Sequence, residues 1–232
     1  MDEKDIKGLE DLKSICNGCT KCDLSKTRTN VVFGKGNPHA KIMFIGEAPG
    51  EKEDLQGIPF VGAAGRELDK LLRKIGLTLE DVYIANILKC RPPQNRDPNP
   101  AEIELCTPYL IRQMILIRPQ VICTLGNYST KFVLSGCIPK KMDSIQGITS
   151  LHGKVNMIDF EGIQFKVIPI YHPAAMLYKP ALRIDFEKDF EKISEEITKD
   201  NLGPSSKTGY HVISANDPAK AEKPKQKTLS DF

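Results

Sequence analysis

Directly behind the apolar stretch Ile42–Ile45 the chain runs Gly46, Glu47, Ala48, Pro49, Gly50, Glu51, Lys52, Glu53, Asp54. This puts carboxylates and glycines at a strand's mouth, where acids can face a ligand and glycines let backbone approach it. Asn86 lies in the second half of another apolar run, and Tyr171-His172-Pro173 follows a third. Cys19-x2-Cys22 stands upstream and Cys90-x15-Cys106 downstream, the second pair bracketing the loop Arg91–Pro98. Four thiolates can hold zinc or an iron-sulfur cluster, and their spacing alone leaves both open. Taken together, these groups predict a metallocluster protein that handles a base.

Such residues need strands and helices to bring them together. Apolar runs alternate with amphipathic segments: a strand over Ile42–Ile45, a helix over Gly65–Ile75, a strand over Val82–Leu88, a helix over Pro100–Ile117 and a strand over Val121–Leu125. Gln164–Ile170 and Leu182–Ile197 supply a final strand and helix. This alternation predicts an α/β fold with a mainly parallel sheet, in which ligands bind beyond the carboxyl ends of the strands. Leu68, Leu71, Leu72 and Ile75 form a buried helical stripe, with Gly76 as its stop. Asn99, Pro100 and Glu102 specify the next helix start as N-cap, N1 and N3.

With 232 residues and 40% hydrophobic content, the chain has ample material for one packed core. A net charge of +3 permits nucleic-acid contact without requiring it. No apolar run suits a signal peptide or a membrane span, so a soluble intracellular protein is expected. Seven cysteines in such a chain argue for metal ligation or buried thiols over disulfides. Cys123 and Cys137, in apolar surroundings, read as core thiols. Gly34-Lys35-Gly36 precedes its strand and lacks a third glycine, so it is a poor dinucleotide fingerprint.

Gly46–Glu51, Pro59-Phe60-Val61-Gly62, Asn86, Lys89-Cys90-Arg91-Pro92-Pro93 and His172-Pro173-Ala174, in this order beside four spaced cysteines, resemble the family 4 uracil-DNA glycosylases. The resemblance covers roughly Cys19 to Ile197. It implies a three-layer α/β/α fold with a central, mainly parallel four-stranded sheet, and a 4Fe-4S cluster on Cys19, Cys22, Cys90 and Cys106. Cys16 lies outside the matched pattern. The implied reaction releases uracil from DNA, with the base flipped into a pocket. By similarity Phe60 stacks on the base, Asn86 reads O4 and N3-H, Glu53 crowds the C5 edge, and backbone at Ala48 and Pro49 contacts the ring. Glu47 stabilises the sugar cation or orients water, and His172 donates to uracil O2. Related family 1 enzymes carry an aspartate where this chain has Ala48, which weakens the transfer of the water-activating role. Met176 and Leu177 are candidates for a wedge entering the DNA stack. The competing reading is a non-catalytic iron-sulfur DNA-binding or redox module on the same fold.

Beyond the catalytic domain, residues 1–200, the composition turns to Gly, Pro, Ser and Lys, and 201–225 reads as a disordered tether. In the final seven residues Gln226, Leu229 and Phe232 resemble a sliding-clamp-interacting peptide, although Asp231 stands where such peptides carry a second aromatic. The tail therefore implies a clamp partner and an archaeal source. The expected protein is a cytoplasmic, nucleoid-associated monomer.

Overall fold

The structure is a computed structural model and describes residues 7–201 and 211–214. Its frame is four parallel strands, β2 (Ile42–Gly46), β3 (Tyr83–Asn86), β4 (Val121–Leu125) and β6 (Ile163–Ile170), in the order β3-β2-β4-β6. Every residue of β2 and β4 is buried, which is why they read as continuous apolar runs without alternation. Met43, Ile45, Ile122 and Val167 enter one cluster, with Leu110 and Met114 of α4 (Pro100–Ile117) and Phe132 of α5 (Asn127–Leu134). Ile42, Phe44, Cys123 and Ile168 enter the other, with Leu68 and Leu72 of α3 (Ala63–Lys74) and Phe186 and Phe190 of α8 (Arg183–Asn201). Helices thus cover both faces, giving the expected three layers.

The sheet is wider than the four strands expected: its order among the described residues is β1-β3-β2-β4-β6-β5-β7. β1 (Lys35–Gly36) pairs antiparallel with β3 and has only two residues. β5 (Asn156–Phe160) forms a hairpin with β6 across Glu161 and Gly162, which have φ of 52° and 77°. Positive φ at both central residues gives the turn whose twist matches paired strands. β7 (His211–Ser214) lies parallel to β5, inside the stretch read as a tether. These edges lack the long apolar runs that betray central strands.

Helix ends follow local chemistry. At α3, Gly76 (φ 75°) donates to the Arg73 carbonyl and Leu77 to that of Leu72, so the left-handed glycine closes the helix through a Schellman motif. At α4, Asn99 and Glu102 form a capping box, with Pro100 in the first turn. Five helices among the described residues escaped the sequence reading. α1 (Leu9–Asn17) packs Leu12 and Cys16 with Tyr109 of α4, and α2 (Glu51–Gln56) is a charged single turn and a half with no apolar period. α5 and the single turns α6 (Ile148–Leu151) and α7 (Ala175–Tyr178) are the others.

Candidate active site and cysteine cavity

The carboxyl ends of β2, β3 and β6 bring together the residues that carry the base-handling reading. Gly46 pairs with Asn86 in register, and a Cβ on Gly46 would collide with Asn86 Oδ1 and press on the Phe60 ring. Glycine is therefore what lets amide and ring share this corner. Asn86 is 2% exposed, and no protein group among the described residues accepts from or donates to its side-chain amide. Phe60 lies 5.8 Å from His172 between ring centroids, at 33°. Gly126, just past β4, admits His172, whose Cβ would stand 3.4 Å from a Cβ there.

His172 has a defined tautomer. The Ala174 N–H donates to its Nδ1 at 3.2 Å, so the proton of the neutral ring sits on Nε2, free to donate. Burial pushes the imidazole down to about 4, against a smaller upward pull from Glu53, so the ring is neutral at pH 7. Glu47 moves the opposite way for the same reason: burial, followed by the charge of Asp97, raises its carboxyl to about 7. Tyr128, on α5, is pushed up to about 12 by burial, by Asp97 and by Glu47 itself. Asp97 and Tyr128 thus belong to the surroundings of Glu47, and the sequence offered no motif that would have found Tyr128.

Glu53 has a definite structural task. Its Oε1 accepts from Val61 N–H at 3.0 Å and Gly62 N–H at 2.8 Å, pinning the loop that holds Phe60 at φ 53°. Asp54, buried, accepts from the backbone of Thr29 and Asn30, tying α2 to the chain beyond the cysteine pair. Ala48 is half-buried against the core and Pro49 is buried, both on the connection into α2. In the Arg91–Pro98 loop, Arg96 makes a two-pronged ion pair with Glu102, at 2.9 and 2.6 Å, and Arg91 donates to Asn95. Arg96 is thus committed to bracing the start of α4.

The wedge expectation divides. Met176 is 6% exposed and packs in the core behind β6, which removes it from any surface role. Leu177 is 47% exposed and Tyr178, which the sequence reading passed over, 84%. Both stand on α7 (Ala175–Tyr178), immediately after the His172 turn. Tyr171 is fixed from behind: its ring lies 4.5 Å from His152 and 5.9 Å from Phe186, and Asp189 Oδ2 holds His152 Nδ1 at 3.1 Å.

Cys19, Cys22, Cys90 and Cys106 line a single cavity, together with Cys16, Lys89, Arg28 and Tyr109. Among the described residues no three His, Cys, Asp or Glu side chains converge as they would on one ion. Arg28 Nη1 stands 3.2 Å from Cys90 Sγ, and the Lys89 N–H donates to Cys106 Sγ at 3.2 Å. The Lys89 ammonium, fully buried, donates to the Asn86 carbonyl and to Gln113 Oε1, and burial lowers it to about 8. The Tyr109 hydroxyl is buried beside the Cys19 thiol. All-sulfur donors, two cations, an amide and a buried hydroxyl suit an anionic group with sulfur acceptors.

No helix among the described residues is long and apolar enough to cross a membrane. Residues 33–198 match the family model of the uracil DNA glycosylase superfamily. The type-4 uracil-DNA glycosylase of Archaeoglobus fulgidus is 51% identical over 191 residues, which is 82% of this chain and 94% of the relative. Those of Saccharolobus solfataricus and Sulfurisphaera tokodaii are 50% and 48% identical, over 78% and 82% of this chain and 82% and 85% of their own lengths. The chain belongs to the uracil-DNA glycosylase superfamily and, within it, to the type-4 uracil-DNA glycosylases.

Proposed function

We propose that the protein takes uracil out of the DNA stack and hydrolyses its N-glycosidic bond, releasing the free base and leaving an abasic site. The observation that carries this is the corner at the strand ends. There an unpartnered Asn86 amide, the Phe60 ring and a neutral His172 with its proton on Nε2 meet beside Glu47.

Flipping costs a few kcal/mol, and stacking on an aromatic ring returns about 1–3 kcal/mol per base. Phe60 gives that surface. Asn86 pairs with O4 and N3-H of uracil; with the amide held in that orientation, cytosine would set two donors against each other and is rejected. Glu53 acts through the Val61–Gly62 backbone, holding the Phe60 loop against the base's C5 edge. As the bond breaks, negative charge grows on uracil O2, where the His172 Nε2–H donates, and positive charge grows on the sugar, which the Glu47 carboxylate stabilises while it orients water. Leu177, with Tyr178, fills the gap left in the stack.

Cys19, Cys22, Cys90 and Cys106 hold a 4Fe-4S cluster in this reading; four cysteines lining one cavity with Arg28 and Lys89 support it, and the match to the type-4 family favours it over zinc. Such a cluster would supply a cross-link between the end of α1, the Arg91–Pro98 loop and α4. Gln226, Leu229 and Phe232, outside the described residues, are the proposed sliding-clamp contacts, on the strength of their spacing.

The test uses anaerobically purified protein and a labelled strand with one uracil, followed by alkali to reveal abasic sites. Cleavage at uracil alone, lost in Glu47→Ala and Asn86→Ala, is expected. Uracil-DNA left intact by protein with its cluster in place would instead support a non-catalytic DNA-binding module.

A further inference from the structure

Five thiols, not four, line the cysteine cavity. The fifth, Cys16, is the most buried of them at 1% exposure and stands in the last turn of α1, held inward with Leu12 against Tyr109. Cys19 is half-buried. The Cys19 N–H donates to the Cys16 carbonyl at 3.1 Å, so both thiols hang from one tight turn. The Tyr109 hydroxyl stands buried in the same wall beside Cys19, so it faces a sulfur acceptor at that position. A cubane offers four metal positions, and here five cysteines line the cavity.

We propose that Cys16 is an exchangeable ligand that takes the place of Cys19 on the metal centre when Cys19 is released or lost. In the exchange a Cys16 sulfur–metal bond forms, the Cys19 sulfur–metal bond breaks, and the Cys16 proton passes to the departing Cys19 thiolate. No electrons change hands. The number of sulfur ligands and the net charge facing Lys89 and Arg28 stay constant, so the cations that match the centre match both arrangements. The inference rests on the reading of this cavity as a cluster site.

The experiment compares full-length wild type, Cys16→Ala, Cys19→Ala and the double variant, all purified anaerobically. The measurements are iron and acid-labile sulfide per chain and visible absorbance, with circular dichroism to confirm folding. Cys19→Ser serves if the alanine variant misfolds. Cys16→Ala is expected to keep the full complement, Cys19→Ala most of it with an altered spectrum, and the double variant at least an order of magnitude less. Loss in Cys19→Ala equal to that in the double variant overturns the exchange, as does loss in Cys16→Ala alone. Zinc in place of iron and sulfide in the wild type would overturn the cluster reading separately, because zinc content across the same four proteins still decides whether Cys16 substitutes.

Discussion

Glu47 and His172 are shifted in opposite directions by the same burial, and that fixes the pH behaviour of the site. Glu47 acts as a carboxylate in the proposed mechanism, so kcat/KM should rise with pH, with a single ionisation near 7, and level off above it. His172 charges only near 4 and should add no second limb between about pH 5 and 8. Asp97 is the second cause of the raised Glu47 carboxyl, so Asp97→Asn should move the limb to lower pH in a steady-state profile. A limb that stays in place would detach it from Glu47. Glu47→Gln should cost about 10²–10⁴-fold in single-turnover rate, and His172→Ala about 10²–10³-fold. Stability runs the opposite way. Between the ordinary 4.5 and about 7 the folded protein holds more protons than the unfolded chain, so stability falls as pH rises through that window. Glu47→Gln should therefore melt higher than wild type above pH 7 while losing activity.

The elements that present the proposed base-binding groups rest on close approaches. The first turn of α3 runs so near the Phe60 backbone that a Cβ on Gly65 would collide with the Phe60 carbonyl. Gly65→Ala must displace the ring or the helix, at about 1–3 kcal/mol, and should raise KM for uracil-DNA more than it lowers kcat. Equal stability and KM to wild type would show that the loop has room to spare. At α4, Glu102 serves as capping-box partner and as anchor for Arg96. Glu102→Gln should cost about 0.5–2 kcal/mol in denaturant melts and loosen the Arg91–Pro98 loop. The bounds of α4 were legible beforehand because Asn99, Pro100 and Glu102 act within one turn of chain. α2 was not, because Glu51–Gln56 has no apolar stripe and is held by contacts from Glu53 and Asp54 to segments far along the chain.

At the scale of the whole molecule, the proposed cluster would join the end of α1, the loop after β3 and α4, of which α1 and α4 otherwise meet in a small third core of Leu12, Cys16, Phe33 and Tyr109. Stripping the metal centre by oxidation and chelation should lower Tm by several degrees, at about 2–4 °C per kcal/mol for a chain of this size, with the loss read as weaker DNA binding before slower chemistry. An unchanged Tm would remove the cross-linking role. Truncation after Ser214 should leave cleavage of a short uracil oligonucleotide unchanged and abolish capture by an immobilised sliding clamp. Capture that survives would exclude Gln226, Leu229 and Phe232 as the contacts.

The chemistry available was legible beforehand: the Gly46–Asp54 run, Asn86, His172-Pro173 and the two cysteine pairs are readable because their meaning lies in residue type and short spacing. The central strands were legible too, since burial on both faces leaves an unbroken apolar run. Which groups are free to act emerges only with folding. Packing buried Met176 and exposed Leu177 and Tyr178 from one short helix, and folding set Cys16 in one cavity with four other cysteines and Asp97 beside Glu47. Those outcomes depend on neighbours tens of residues away, and desolvation, which sets the protonation of Glu47 and His172, exists only once the chain has closed around them.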